Sequence, residues 1–414
     1  MTSHASDKAA TPISFANPAV QLCPFASYDA LRDEQPVYKD PLSGNYIVTR
    51  YDDVRKALLN VRALRNRTGF NMTRANEGAN RVFEERGWLP IDTLVSNDPP
   101  EHRLYRNLVD KVFTPARVSG LEPRIEDIIN ELIDAFIEEK EVDFLEVFAV
   151  RLPMYVIAEQ LGVPRSDMAR FKLWSDVSVE SVSSVLPSER EIEIAEVLTG
   201  MQQYMAGKIE NVRARPEDTL ISHLANTEAQ GRFLDMRELL SVIHQLLVAG
   251  NETTTTALAS GMKMLIERPE LAEAIQADPG LARPFVEEVL RAMSPIQLLF
   301  RRAAADVEIG GVLIPEGALV EMRYGAANRD PRQYPAPELI DLKRANASSH
   351  LAFGAGPHLC IGNQLARGEL RLAFQALTRR MTQFRATRGE DSYRWMTSYI
   401  AYGLNQLWMT FDKR

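Results

Sequence analysis

The chain has 414 residues, a formal net charge of -8 and 45% hydrophobic residues, which excludes a disordered chain and is typical of a compact globular enzyme. The acidic balance argues against nucleic acid as a partner, because phosphates select basic surfaces. No stretch approaches the roughly 18 consecutive apolar residues of a membrane-spanning helix, and residues 1–12 lack the apolar core of a signal peptide, so we predict a cytoplasmic protein.

The chain shows no linker and no internal repeat, although its length would allow two or three domains. We therefore predict one domain that spans residues 1–414. We expect its first 15 residues to be flexible.

The predicted elements mix long helices with short strands. In the first third, residues 45–48 have the pattern of a strand, and a helix opens near residue 100. From there to about Leu265 the apolar residues follow a helical period. Short strands return at residues 307–309 and 318–320. This order predicts a mainly α fold of the α+β type.

One long helix is predicted from about Asp235, a good N-cap, to about Glu267, just before Pro269. It carries apolar residues on every side and should therefore cross the protein interior. Its middle, residues 249–256, reads AGNETTTT, where a buried helix prefers Ala and Leu. Such a local exception indicates a functional site.

The two cysteines, Cys23 and Cys360, lie far apart, which gives neither a disulfide framework nor a paired zinc motif. Cys360 lies in the segment FGAGPHLCIG at residues 353–362, and a helical pattern follows at residues 363–370. Two glycines and a proline favour a rigid turn that can hold the cysteine beneath a flat cofactor. The following helix N-terminus is expected to lower the thiol pKa. The alternative is a buried cysteine in a Gly-rich turn.

This segment closely resembles the cysteine loop of the cytochrome P450 superfamily, in its soluble bacterial class, and the resemblance covers essentially the whole chain. It implies a triangular, helix-rich domain with small β-sheets and a long central helix over the haem. It implies haem b (iron protoporphyrin IX) as cofactor, Cys360 as the axial ligand of the iron, and Phe353 and Gly362 as neighbouring haem contacts.

By the same resemblance, the middle of the long helix is the oxygen-activating segment. Ala249 and Gly250 would leave room for dioxygen and contact the haem, Glu252 would lie on a proton path, and Thr253 would orient the oxygen. The alternative is a Thr-rich buried helix whose hydroxyls bond back to the backbone.

The two haem propionates require cationic partners if they are buried. His102 and Arg106 share one helix face at i, i+4, and the resemblance adds Arg301 and His358 as the remaining partners. Arg302 competes with Arg301 for this role. Taken singly, each could instead be an ordinary surface charge.

Glu288 and Arg291 form an i, i+3 pair that resembles the structural Glu-x-x-Arg pair of the family. The family usually adds an arginine before the cysteine loop. Here Leu339 stands where that arginine is expected, which leaves open how the pair is completed.

The layout of the family places a substrate pocket above the haem. It would draw on residues 68–94, 174–193, 296–299 and 399–402, and on these side chains: Gln245, Val248, Ala249, Gln297, Leu299 and Ile400. Their apolar character implies a small or medium hydrophobic substrate, such as a terpenoid, aromatic, steroid or fatty compound. A basic set near the first segment would either anchor a substrate carboxylate or form a solvated loop: Arg65, Arg67, Arg74, Arg81 and Arg86.

No flavin or nicotinamide fingerprint occurs in the chain, so electrons must come from another protein. The resemblance implies a ferredoxin and an NAD(P)H-dependent ferredoxin reductase as partners. Arg103, Lys111 and Arg367 would form a basic docking patch for the acidic partner, or would be ordinary solvated charges.

These features predict a monooxygenase that hydroxylates or O-dealkylates a hydrophobic substrate. A peroxide-driven peroxygenase is disfavoured because Glu252 and Thr253 retain a proton relay. A non-catalytic haem-binding sensor would normally carry a signalling domain, and a metal site on Cys360 and His358 lacks a second half.

Overall fold

The computed structural model describes residues 13–67, 76–183 and 186–414. The helices follow in chain order: α1 Pro18–Leu22, α2 Phe25–Glu34, α3 Tyr51–Leu59, α4 Glu77–Arg86, α5 Glu101–Val112, α6 Pro115–Phe136, α7 Arg151–Gln160, α8 Met168–Ser183, α9 Ser188–Ala214, α10 Leu220–Asn226, α11 Met236–Glu267, α12 Pro269–Ala277, α13 Ala282–Met293, α14 Tyr324–Ala327 and α15 Asn363–Arg380. A π-helical turn at Leu145–Ala149 precedes α7.

The strands are short: β1 Val37–Lys39, β2 Tyr46–Val48, β3 Leu64–Arg65, β4 Val142–Asp143, β5 Leu298–Ala303, β6 Val307–Ile309, β7 Val312–Ile314, β8 Leu319–Arg323, β9 Met381–Ala386, β10 Tyr393–Trp395 and β11 Leu404–Lys413. One sheet has the order β1-β2-β8-β5-β3, in which only β2 and β8 are parallel. A second sheet joins β10, β11 and β4, with β9 also on β11, and β6 pairs with β7 as a hairpin. The predicted mainly α fold with small sheets is confirmed.

Helix α11 begins and ends where the sequence predicts. The Asp235 side chain accepts from the Glu238 backbone N–H, and the Glu238 carboxylate accepts in return from the Asp235 N–H, which closes a capping box. Pro269 lies just beyond the last turn and cannot continue the helix. At 1.5 Å per residue, the helix is about 48 Å long and crosses the molecule.

Two large hydrophobic clusters lie along α11. Its first half packs with α5, α8, α9 and α10, through residues such as Leu239 and Leu247. Its second half packs with α6, α13 and α15, through residues such as Ala257 and Leu265. The segment between the two halves, residues 248–253, therefore lies where the clusters separate.

Most of the N-terminal segment predicted to be flexible lies outside the described residues, which begin at residue 13. Ser14 and Phe15, at its end, are buried. The Ser14 hydroxyl donates to Asp40 over 2.8 Å, and the Phe15 ring packs on Tyr28. Ser14 and Phe15 therefore pack against the folded part of the chain.

Within the described residues, no helix is both long enough and apolar enough to cross a membrane.

Candidate active site

Cys360 lies at the end of a tight loop just before α15. Its backbone N–H donates to the Phe353 carbonyl over 2.9 Å. Gly354 and Gly356 have φ values of +69° and +72°, a left-handed conformation that favours glycine. A Cβ atom on Gly356 would lie 3.2 Å from the Leu58 carbonyl oxygen. The loop is thus fixed by its glycines and presents a half-buried thiol.

Burial raises the pKa of the Cys360 thiol, whereas the Gly362 backbone N–H and the charges of Arg106 and Arg367 lower it. The net direction is upward, opposite to the expectation from the helix N-terminus. A coordinating metal ion deprotonates a thiol outright. Burial alone therefore favours the neutral thiol of Cys360, and a bound cation would favour its thiolate.

The middle of α11 faces open space, although the helix is buried on both sides of it. Ala249 is exposed, Val248 and Thr253 are half-buried, and a Cβ atom on Gly250 would meet no atom within 4 Å. Ile361, next to Cys360, packs in the same hydrophobic cluster as Val248. The opening in α11 and the cysteine loop therefore lie in the same region of the molecule.

Glu252 and Thr253 occupy this opening. The Thr253 hydroxyl donates to the Ala249 carbonyl over 2.9 Å, which is the back-bonded state that the sequence left as an alternative. Burial raises the pKa of Glu252, the negative charge of Asp176 raises it further, and Lys172 lowers it. Lys172 and Asp176 lie on α8 and bond to each other over 2.7 Å. The Glu252 carboxyl therefore faces a charged pair at the protein surface.

The four predicted propionate partners come together. The rings of His102 and His358 lie 4.1 Å apart between centroids. Arg106 donates from Nη1 to the Leu359 carbonyl over 2.6 Å. Burial, and after it the charges of His102, Arg301 and Arg106, lower the pKa of His358 to about 3.

Arg301 and not Arg302 belongs to this cluster. Arg301 is 4% exposed and bonds to the Tyr324 hydroxyl. Arg302 is half-buried and donates to the Gly317 carbonyl over 2.8 Å. Successive residues of a strand point to opposite faces, which separates the two guanidinium groups.

These residues fit the haem predicted from the sequence. His358 Nε2 is buried and has no hydrogen-bond partner among the described residues. The positive charges of Arg106 and Arg301 act on it, and an anionic group would offset them. No atom lies within 4 Å of a Cβ atom built on Gly250 or on Gly362, so the backbone leaves room for a flat ring at both positions.

The buried pair Glu288 and Arg291 is completed by Arg344 and not from position 339. Both members of the pair have fully buried side chains, and Arg291 Nε lies 2.6 Å from Glu288 Oε1. Arg344 Nε lies 3.1 Å from the same oxygen. Leu339 is half exposed, and its carbonyl accepts from both arginines. The sequence left open how the pair is completed, and Arg344, five residues beyond Leu339, supplies the missing guanidinium.

Two predicted pocket side chains are bonded elsewhere. The Gln245 amide accepts from the Val95 N–H over 3.1 Å and donates to the Ser96 hydroxyl over 3.4 Å. The Gln297 amide accepts from the Tyr28 hydroxyl over 2.7 Å and donates to backbone carbonyls at the end of α13. Both glutamines are at most 6% exposed. Their amide groups are therefore engaged in hydrogen bonds within the protein and are not available to a substrate in the predicted pocket.

The other pocket predictions concern apolar side chains and a basic segment. Val248, Leu299 and Ile400 are half-buried. Arg67 donates to the Asn97 side chain over 2.9 Å, and Arg86 lies 3.4 Å from Glu196, so both are already bonded within the protein. Arg74 lies outside the described residues.

The three residues of the predicted docking patch have different surroundings. Arg367 pairs with Glu287 over 2.7 Å and its guanidinium lies 4.5 Å from the Phe353 ring, while Lys111 donates to the Glu228 carbonyl. Arg103 is exposed instead at a cleft of about 500 Å³. The cleft is lined by Val61, Arg62, Arg65, Asp98, Pro99, His102, Arg103, Arg106, Asp110 and Pro357.

Three arginines of this cleft, Arg62, Arg65 and Arg103, are exposed, and across the described ranges none has a side-chain hydrogen bond or ion pair. The sequence analysis did not select Arg62. Its only signal was its nearness in sequence to Arg65, which gives no spatial information.

Comparison with known proteins gives a consistent result. The family model described as Cytochrome P450 matches residues 164–279 and 280–396. Cytochrome P450 107B1 of Saccharopolyspora erythraea is 36% identical over 367 residues, which cover 87% of this chain and 88% of the relative. Mycinamicin IV hydroxylase/epoxidase of Micromonospora griseorubida is 37% identical over 382 residues, which cover 91% and 92% of the two chains.

A solved structure agrees with these relatives. The structure of cytochrome P450 CYP109Q5 from Chondromyces apiculatus is 33% identical and superimposes with a TM-score of 0.87. The match covers 97% of this chain and 98% of the other. The helix-rich architecture described above is therefore shared along almost the full length of both chains.

Proposed function

The chain belongs to the cytochrome P450 family and is a haem-b monooxygenase; we propose that it hydroxylates or O-dealkylates a small to medium hydrophobic compound with dioxygen and electrons from a ferredoxin. The observation that carries the proposal is the opening in the middle of α11, where Ala249, Gly250 and Thr253 face open space near the cysteine loop. A helix that is otherwise buried has no packing reason for such a break.

Haem, when bound, supplies the activation of dioxygen, which protein side chains alone cannot perform. In the proposed site Cys360 would hold the iron, and the guanidinium groups of Arg106 and Arg301 would hold the propionates together with ring N–H donors of His102 and His358. Phe353 and Gly362 flank the ligand in the cysteine loop. The Glu288 and Arg291 pair acts only on the structure, because it is fully buried and already bonded to Arg344.

Proton delivery is assigned to Glu252 and Thr253. Burial raises the pKa of Glu252 above its ordinary value, which favours the protonated form that a proton donor needs. The charged pair Lys172 and Asp176, which acts on this pKa, lies at the protein surface. While the Thr253 hydroxyl donates to the Ala249 carbonyl, its oxygen can still accept a hydrogen bond from a group in the opening.

The proposed pocket is apolar, which favours a substrate held by burial and not by charge. Val248, Ala249, Leu299 and Ile400 are the predicted lining residues that remain, and all are partly open. A relative named as a hydroxylase/epoxidase supports the reaction type. The bonded state of Arg67 and Arg86 argues against an anchor for a substrate carboxylate there.

Electron supply is assigned to an acidic ferredoxin, served by an NAD(P)H-dependent reductase. The three unpaired arginines at the cleft, Arg62, Arg65 and Arg103, give a local positive field on a chain whose formal net charge is -8. Such a patch attracts an acidic protein and raises its association rate at low salt. The cleft also includes His102 and Arg106, which places the docking site beside the proposed propionate partners.

The test compares Thr253→Ala with Thr255→Val in holoprotein supplied with ferredoxin, reductase and NADPH. Thr255 lies on the same helix but donates to the Ala149 carbonyl and is buried, so it controls for helix stability. We expect T253A to bind haem and substrate normally while diverting most reducing equivalents to hydrogen peroxide, and T255V to keep the wild-type yield. Wild-type product per NADPH in T253A would contradict the proton-delivery assignment, and turnover only with added peroxide would indicate a peroxygenase.

A further inference from the structure

Asn328 joins two segments of the site that are distant in sequence. It caps the end of α14 and is fully buried. Its Nδ2 donates to the Ser294 hydroxyl over 2.8 Å, and its Oδ1 accepts from the Leu351 backbone N–H over 2.6 Å. Because a backbone N–H can only donate, the oxygen of the amide must face Leu351, which fixes the orientation of the side chain.

The first arm of Asn328 reaches the turn that starts β5. Ser294 follows α13 in a left-handed conformation, with φ 45°, and is buried. A serine held in this conformation costs conformational energy, so the surroundings must stabilise it. The strand that follows carries Arg301, one of the four residues of the proposed propionate site.

The second arm reaches the start of the cysteine loop. The Leu351 carbonyl accepts from the Gly354 N–H over 2.8 Å, and the Phe353 carbonyl accepts from the Cys360 N–H over 2.9 Å. The Asn328 bond therefore lies two hydrogen bonds away from the Cys360 backbone. The backbone of Asn328 is bonded as well: its N–H donates to the Tyr324 carbonyl over 2.8 Å, and its carbonyl accepts from the Arg291 guanidinium over 3.1 Å.

Helix α14 strengthens the same connection at its other end. The Tyr324 hydroxyl bonds to Arg301, and it lies 3.8 Å from a Cβ atom built on Gly354. Both ends of this short helix thus contact the β5 segment and the cysteine loop. Of the two ends, only Asn328 holds the backbone of the loop directly.

We propose that Asn328 is a positioning residue that fixes the cysteine loop against the start of β5. It thereby holds Cys360 and Arg301 in their relative positions at the haem site. The inference rests on haem occupying the site, and not on the substrate or the electron donor. Wild-type protein that failed to bind haem would remove the proposed function, whereas unaltered behaviour of Asn328 variants in haem-loaded protein would remove only this inference.

The test follows two optical signals in holoprotein whose fold is verified by circular dichroism. The first is the rate at which the reduced carbon monoxide complex loses its thiolate-type Soret band. The second is the dissociation constant of imidazole from a spectral titration. We expect Asn328→Leu, which removes both arms at similar volume, to lose the thiolate form about tenfold faster than wild type, because one buried hydrogen bond on the loop is broken. Its imidazole constant should change at least about threefold.

Asn328→Asp is the conservative variant. A carboxylate oxygen still accepts from Leu351, and the Ser294 hydroxyl can donate to the other oxygen, so N328D should retain the thiolate form at close to the wild-type rate. Asn346→Leu is the matched control. Asn346 donates to the Gln333 carbonyl over 2.8 Å and touches neither arm, so a lower melting temperature without a change in either signal is expected.

Wild-type values of both signals in folded N328L would overturn the proposal. If N328L does not yield folded holoprotein, Ser294→Gly is the deciding variant, because glycine tolerates the left-handed backbone. It removes the first arm, together with the hydroxyl bonds of Ser294 to the Leu290 and Arg291 carbonyls over 3.4 and 3.3 Å, and leaves the bond to Leu351 in place. A changed imidazole constant with an unchanged thiolate lifetime would support the proposal, and wild-type values of both would overturn it.

Discussion

Arg344 Nε donates to Glu288 Oε1 over 3.1 Å, although the two residues are 56 positions apart in sequence. The same guanidinium also donates to the carbonyls of Pro335, Ala336 and Leu339. Arg344 therefore completes the buried pair of Glu288 and Arg291 and also folds the segment that leads to the cysteine loop.

Replacing Arg344 with Leu should destabilise the folded protein by about 3 kcal/mol. The change removes one charged hydrogen bond from a buried carboxylate and takes the guanidinium donor away from the Pro335 and Ala336 carbonyls. Thermal and urea unfolding of haem-loaded protein measure the change. Arg332→Leu is the control. The Arg332 side chain pairs with Asp33 and Asp330 but is 51% exposed, so its ion pairs should contribute less than about 1 kcal/mol to the free energy of unfolding. Equal effects of the two variants would argue against a structural role for Arg344.

Arg106 and Arg103 lie on the same helix and at the same cleft, but they should affect different properties. Arg106→Leu removes a donor to the cysteine loop and a proposed propionate partner, so haem transfer to excess apomyoglobin should be about tenfold faster or more. Arg103→Leu removes an exposed charge, so haem retention should stay normal while the KM for ferredoxin rises at low salt. A reversal of these two effects would contradict the separation of cofactor binding from docking.

The pH dependence of turnover should follow the two charges beside Glu252. Asp176 raises the pKa of Glu252 and Lys172 lowers it, so Asp176→Asn should move the limb of the pH profile that depends on Glu252 to lower pH. Lys172→Met should move it to higher pH. Product formation between pH 5 and about 9 measures both, with Glu252→Gln as the variant in which the limb is absent. Shifts in the same direction for both variants would exclude a direct electrostatic effect on Glu252.

Glu369 on α15 gives a stability prediction that is independent of activity. Burial raises its pKa to about 8, and Oε2 has no hydrogen-bond partner in the described structure. The folded state therefore keeps a proton that the unfolded state releases above its ordinary pKa. The part of the folding stability that depends on Glu369 is fully present below about pH 4.5 and is lost as the pH rises toward about 8. The free energy of unfolding should fall over this range by up to about 1.4 kcal/mol per pH unit.

Glu369→Gln should remove this slope, so the variant should be more stable than wild type at pH 8 and about equal to it at pH 5. Urea unfolding at both pH values measures the difference. Equal pH slopes in the two proteins would mean that Glu369 is ionised in the folded state.

The sequence predicted those parts of the fold that local signals determine. The bounds of α11 follow from Asp235, Glu238 and Pro269, which lie within one turn of the ends they define. The cysteine loop was predictable because its glycines, its proline and Cys360 fall within ten residues.

The parts that were missed depend on contacts between distant segments. No pattern near Arg344 points to Glu288, because their pairing arises only when α13 and the cysteine-loop approach are packed together. Gln245 and Gln297 lie where a pocket was expected, yet their amides satisfy backbone groups of other segments. A buried amide must find such partners, and sequence position does not identify them.

The most direct test of the account is the absorption spectrum of reduced protein exposed to carbon monoxide, recorded for wild type, Cys360→Ser and Cys23→Ser. We predict the red-shifted Soret band of thiolate-ligated haem in wild type and C23S, because Cys23 is exposed and lies outside the loop, and its loss in C360S. A thiolate-type band that persists in C360S, or no Soret band from folded, haem-supplied wild-type protein, would contradict the assignment of Cys360 as the haem ligand.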